Sequence, residues 1–161
     1  MALSIGAMAP PVSLKSKTAA GLADIELTRN RGKGRTLLLF VPLAFTSVCT
    51  TELCSISESI QAYNALKADV IGISVDSPFA QEAWAEKAGI AFTLASDFNR
   101  EAAAAYDVLD NHFLPGALNY KGVAKRAAFV IGIDGRVEYA WSSDDPSQMP
   151  PIGQIRAALG A

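Results

Sequence analysis

Two cysteines, Cys49 and Cys54, close the segment Val41-Pro42-Leu43-Ala44-Phe45-Thr46-Ser47-Val48-Cys49-Thr50-Thr51-Glu52-Leu53-Cys54. Two nearby thiols can carry redox chemistry, ligate a metal or pack as small hydrophobes. Which of these applies depends on where the backbone places Cys49. The run Thr36 to Val41 is apolar throughout and stops at Pro42, which predicts a strand buried on both faces. Beyond it, Cys49, Leu53, Ile56, Ile60, Tyr63 and Leu66 recur at spacings of three and four, which predicts a helix starting near Thr46 or Ser47. Cys49 then falls in the first turn of that helix. Unpaired N–H groups and the helix dipole stabilise negative charge there and favour the thiolate. Thiolate is the form that attacks disulfides and peroxides. Thr46, three residues earlier, brings a hydroxyl that both donates and accepts hydrogen bonds.

The elements that must hold this junction follow from the rest of the chain. Val12 and Leu14, then Ile25 and Leu27, alternate with polar residues and predict two short strands, an N-terminal β-hairpin. Val70 to Val75 predicts a second buried strand. A helix should follow from Pro78 to about Gly89, carrying Phe79 and Trp84. Phe92 to Ala95 predicts a short strand, and Arg100 to Tyr106 a short helix capped by Asp97 or Asn99. Residues 110–122 read as a loop, and Asp134-Gly135 marks the turn of a hairpin between Ala127–Ile133 and Val137–Trp141. Pro151 to Leu159 predicts a final helix. Alternating β and α elements with a late hairpin imply a single α/β domain over residues 1–161, built on a mixed central sheet.

Bulk properties remove several function classes. The chain has 161 residues, half of them hydrophobic, and a net charge of −2. The densest basic stretch, Arg29, Arg31, Lys33 and Arg35, is interleaved with Asn30, Gly32 and Gly34 and reads as a solvated turn, so no nucleic-acid partner is expected. No apolar run reaches the roughly 18 residues of a membrane span, so no membrane association is expected. Residues 1–11 lack a basic start and a long apolar core, so no secretory leader is expected and a cytoplasmic location follows. No glycine-rich phosphate loop occurs, and no cofactor is expected.

Pro42, three residues, Thr46, two residues, Cys49, placed at a strand-to-helix junction, resembles the active-site motif of the peroxiredoxins. The resemblance runs from Ile5-Gly6-Ala7-Met8-Ala9-Pro10 to the final helix. It implies a thioredoxin-like three-layer sandwich and a thiol peroxidase acting on hydrogen peroxide and organic hydroperoxides. Cys49 would be the peroxidatic residue, with Pro42 and Thr46 packed against it. The family also places an arginine beside the thiol at the start of a late strand. Arg126, in Lys125-Arg126-Ala127-Ala128-Phe129-Val130, matches that place. Glu52 matches a position where the family often has an acidic or amide residue, and Trp84 one that packs near the site. Relatives occur as monomers and homodimers, so either state is expected here.

The spacing of Cys54 resembles the bacterioferritin-comigratory branch, in which such a cysteine resolves the oxidised one through an intramolecular disulfide that a thioredoxin-type donor reduces. Pro42-Leu43-Ala44-Phe45-Thr46 looks more like the one-cysteine alkyl hydroperoxidase E type, and Val48 replaces the glycine common in the first branch. The alternative is therefore a one-cysteine enzyme in which Cys54 is structural and an external thiol resolves Cys49. Geometry adds a condition. Residues five apart in a regular helix have Cα atoms roughly 8.6 Å apart, given a 1.5 Å rise and 2.3 Å radius. A disulfide rarely spans more than about 7 Å. A Cys49–Cys54 bond thus requires the helix to unwind. Two rival readings need other evidence. A metal module would use Cys49, Cys54 and His112, the one histidine. A disulfide reductase would usually show a Cys-x-x-Cys pair, which the sequence lacks.

Overall fold

The computed structural model describes residues 2–161. The apolar run is strand β3 (Arg35–Phe40), and it lies near the middle of a seven-stranded sheet. The chain reaches it through a hairpin of β1 (Ser13–Thr18) and β2 (Gly21–Glu26). After β3 come helices α1 (Ser47–Glu58) and α2 (Ile60–Ala65), strand β4 (Ala68–Ser74), helix α3 (Pro78–Ala88) and strand β5 (Thr93–Ser96). Helix α4 (Glu101–Ala105) and the short strands β6 (Leu109–Asp110) and β7 (Val123–Ala124) follow. The chain ends with β8 (Arg126–Ile131), β9 (Val137–Ser143) and α5 (Ile152–Ala158). The sheet order is β2-β1-β5-β4-β3-β8-β9, with β3, β4 and β5 parallel and the other pairs antiparallel.

Alternation along β3 divides the core into two layers. Leu37, Leu39 and Val41 pack with Cys49, Leu53, Ile56 and Trp84 on one face. Leu38 and Phe40 pack with Phe129, Tyr106 and the alanines of α4 on the other. Each fully buried leucine contributes about 2 kcal/mol of apolar transfer, so a polar residue anywhere along β3 would be costly. Helices on both faces leave β3 no solvent side, which explains the unbroken apolar run.

One expectation needs correction, and two others gain detail. The helix after Cys49 does not run unbroken to Leu66. At Ser59 the backbone leaves helical geometry, and the Ser59 N–H bonds the Ile56 carbonyl, three residues back rather than four. The apolar spacing continues across the break because α2 still buries Tyr63 against the same core. The 110–122 loop is closed at its base by the β6–β7 pair. The short helix α4 starts after Arg100, whose φ is +61°, and Asp97 accepts the Ala102 and Ala103 N–H groups at 2.9 and 2.8 Å. The late hairpin turns at Asp134-Gly135, where Gly135 takes φ +87°, a conformation that costs glycine little.

Candidate active site

The site is assembled where β3 ends. Val41 still bonds β4, its N–H donating to the Ile73 carbonyl at 2.9 Å. Pro42 then breaks the ladder, and a tight loop leads into α1. Phe45 in this loop has φ +63°, a strained value for an aromatic residue that costs about 1 kcal/mol or more. Two side-chain bonds hold the loop. Asp76, just past β4, accepts the Ala44 N–H at 2.8 Å, and the Thr46 hydroxyl donates to the Leu43 carbonyl at 2.8 Å. Thr46 is the N-cap residue of α1 by backbone geometry, but its hydroxyl makes no capping bond. Its proton is committed to Leu43, which leaves the oxygen free to accept.

Cys49 lies in the first turn of α1 and is 1% exposed. The first helical bond in this turn runs from the Thr50 N–H to the Thr46 carbonyl at 2.9 Å. The N–H groups before it therefore have no helical acceptor and lend positive character to the thiol's surroundings. Sheet register supplies the second charge. Phe40 pairs with Ala127, so Arg126 at the start of β8 sits across from the end of β3. Its side chain is 2% exposed, and its Nη2 donates to Cys49 Sγ at 3.3 Å. Nη1 bonds Glu52 Oε2 at 2.6 Å, an ion pair with both partners buried. Nε and Nη2 both donate to the Pro146 carbonyl, at 3.1 and 2.9 Å.

The charges around this guanidinium are strongly coupled. Burial opposes the positive charge of Arg126, but the attraction of Cys49 and Glu52 outweighs it and shifts the group further toward the charged form. Burial pushes the Glu52 carboxyl up from 4.5 to about 7, against the opposing pull of Arg126. Glu52 Oε1 is buried with no hydrogen-bond partner, which fits a carboxyl whose charged form is disfavoured by burial. A carboxyl raised in the folded state stabilises the fold fully below its unfolded value and loses that contribution as pH rises through its folded value. Stability of the reduced protein is therefore expected to fall between about pH 4.5 and about pH 7 by the share due to Glu52. Glu52→Gln should flatten that slope, and urea-unfolding midpoints across this range measure it.

Above the thiol lies a cavity of about 200 Å3 lined by Pro42, Thr46, Cys49 and Arg126, with Phe113 and Leu118 among its apolar walls. The three motif residues, Pro42, Thr46 and Cys49, meet Arg126 there. Cys54 does not line this cavity. Its thiol donates to the Ala88 carbonyl at the end of α3, at 3.2 Å. His112 is exposed in its loop, and its neighbour Phe113 turns into the cavity instead. Among the described residues, no three His, Cys, Asp or Glu side chains are gathered so as to hold a metal ion. Trp84 is buried, and its indole N–H donates to the Thr50 hydroxyl at 3.0 Å, one residue from Cys49. Sequence reasoning missed the Pro146 carbonyl and the Asp76 anchor. The Asp-Pro pair at 145–146 is a turn signal that pointed to the first. Nothing in the sequence marked the second.

The architecture is thioredoxin-like, with the thiol at the N-terminus of the helix that follows a central strand. The sequence profile of the AhpC/TSA family matches residues 5–140, and the chain belongs to this family, that of the peroxiredoxins. It is 35% identical over 161 residues to a thiol peroxidase of Campylobacter jejuni, covering 98% of this chain and 84% of that one. It is 31% identical over 156 residues to alkyl hydroperoxide reductase E of Mycobacterium bovis, covering 96% and 90%. Its fold matches the reduced 2-Cys peroxiredoxin of Plasmodium vivax with a TM-score of 0.84, at 25% identity over 98% of this chain and 80% of that one. The protein is an oxidoreductase that reduces peroxides. No helix among the described residues is long and apolar enough to cross a membrane.

Proposed function

We propose that Cys49 is the peroxidatic nucleophile, for hydrogen peroxide and organic hydroperoxides alike. The observation that carries this reading is the 3.3 Å contact between Arg126 Nη2 and Cys49 Sγ at the floor of a mostly apolar cavity. The thiolate attacks one peroxide oxygen. A sulfur–oxygen bond forms, the oxygen–oxygen bond breaks, and the departing alkoxide or hydroxide leaves as alcohol or water after taking a proton. Cys49 becomes a sulfenic acid. Arg126 stabilises the charge that moves from sulfur to the leaving oxygen, and the free acceptor position of Thr46 orients the peroxide proton. Pro42 walls one side and keeps bulk water away.

In the second half of the cycle the Cys54 thiol condenses with the sulfenic acid, releasing water and forming an intramolecular disulfide. A thioredoxin-type dithiol then reduces it by exchange. For this, Cys54 must leave the Ala88 carbonyl and the first turns of α1 must unwind, since an intact helix holds the two cysteines too far apart. Amide exchange across residues 46–56 is expected to be faster in the oxidised protein than in the reduced one. Intact mass after one equivalent of peroxide should show loss of two hydrogens in the wild type and a gain of one oxygen in Cys54→Ser. The seat of Cys54 on α3, away from the cavity, favours the second reading, in which an external thiol resolves Cys49. Gain of one oxygen in the wild type, with unchanged exchange, would establish that reading instead.

A further inference from the structure

Arg126 is fixed by more than the residues of the thiol's own helix. Of its three acceptors, Cys49 and Glu52 both belong to α1, the helix that must loosen if Cys54 is to reach Cys49. The third, the Pro146 carbonyl, takes two N–H groups and belongs to the segment after β9. That segment lies outside residues 5–140, the span matched by the family profile.

Its geometry is set by a four-residue turn. The Gln148 N–H closes the turn on the Asp145 carbonyl at 3.1 Å. Pro146 occupies the second position, where its ring fixes φ and its carbonyl takes no part in the closing bond. That carbonyl is left for an outside donor, and Arg126 is the donor. The direction in which it points depends on Asp145. Asp145 Oδ1 accepts the Ser147 N–H at 2.9 Å and the Ser147 hydroxyl at 2.6 Å, pinning the residues on both sides of Pro146. The Ser143 hydroxyl accepts the Asp145 N–H at 3.0 Å, and Ser143 is the register partner of Arg126 across β8 and β9. Lys125, the residue before Arg126, pairs with Asp144 at 2.6 Å. Strand register thus delivers the turn to the arginine, and the Asp145 carboxylate locks it there.

We propose that Asp145 is a positioning residue for Arg126, acting through the Pro146 carbonyl. It holds the guanidinium in place against the thiol independently of α1. This rests on the reading of Cys49 as the peroxidatic thiol. Asp145 is exposed and touches neither Cys49 nor the cavity, so its replacement should leave the melting temperature nearly unchanged. Its effect should appear in the rate, because small misplacements of a catalytic group are costly.

The test is rapid-mixing oxidation of the reduced full chain by hydrogen peroxide. Asp145→Ala is expected to slow the second-order reaction about tenfold, and Asp145→Asn, whose amide oxygen still accepts both Ser147 donors, to restore most of it. In an Arg126→Met background, Asp145→Ala should have no further effect, since it acts only through the arginine. Wild-type speed in Asp145→Ala, or an equal slowing with and without Arg126, would overturn the proposal. Cys49→Ser run alongside separates the two readings. If wild-type oxidation depends on Cys49 while Asp145→Ala is silent, the positioning role alone fails. If oxidation does not depend on Cys49, the reading beneath it fails.

Discussion

Cys49→Ser is expected to remove peroxide reduction, lowering turnover with hydrogen peroxide by about a thousandfold or more. A serine hydroxyl stays protonated near neutral pH and is a far weaker nucleophile than a thiolate. Arg126, the group bonded to residue 49, cannot accept its proton. The substitution is nearly isosteric in a site that is already buried, so the fold should survive it. A steady-state assay with dithiothreitol as reductant reads the loss directly. Retention of a tenth of the activity would show that another group carries the reaction.

Arg126→Met is expected to have the second largest effect, and on two separate observables. Oxidation should slow by about a hundredfold to a thousandfold, the scale seen when one preorganised donor is removed from a charged transition state. Stability should fall by about 3 to 5 kcal/mol above pH 7, because Glu52 loses its buried counter-charge. Below that pH the loss should shrink, since the raised carboxyl of Glu52 takes a proton and no longer needs the partner. The double variant Arg126→Met/Glu52→Gln distinguishes the two functions of the arginine. It should regain much of the stability and none of the rate. Urea unfolding and rapid mixing on the same four proteins complete the cycle. Recovery of rate in the double variant would mean that Arg126 serves the fold and not the reaction.

The strand-to-helix junction was legible because the residues that mark it are local, although its anchor at Asp76 is not. Pro42, Thr46 and Cys49 lie within a few residues of one another, and a buried strand ending at a proline leaves the next helix few ways to start. Arg126 was legible only through family resemblance, since its approach to Cys49 depends on β8 pairing antiparallel with β3 and on Phe40 facing Ala127. No local pattern encodes that register. The break at Ser59 was hidden because apolar spacing reports which residues are buried, not whether the backbone between them is continuous. Ile60, Tyr63 and Leu66 keep the period on the far side of the break, while the Ser57 hydroxyl accepts the Ala91 N–H at 3.0 Å from the loop after α3. The Pro146 carbonyl illustrates a further limit. Backbone acceptors carry no residue type, so a sequence shows the turn that aims one and not the donor it meets.

Trp84 offers a built-in reporter of oxidation at Cys49, because its indole bonds Thr50 beside that residue. Reduced protein mixed rapidly with hydrogen peroxide, followed by Trp fluorescence and then by intact mass, tests most directly whether Cys49 is a peroxidase thiol. A peroxidatic Cys49 gives a fluorescence change whose rate is proportional to peroxide concentration, far faster than the reaction of free cysteine and absent in Cys49→Ser, with oxidation confined to the two cysteines. Oxidation no faster than that of free cysteine, or equally fast without Cys49, would contradict it.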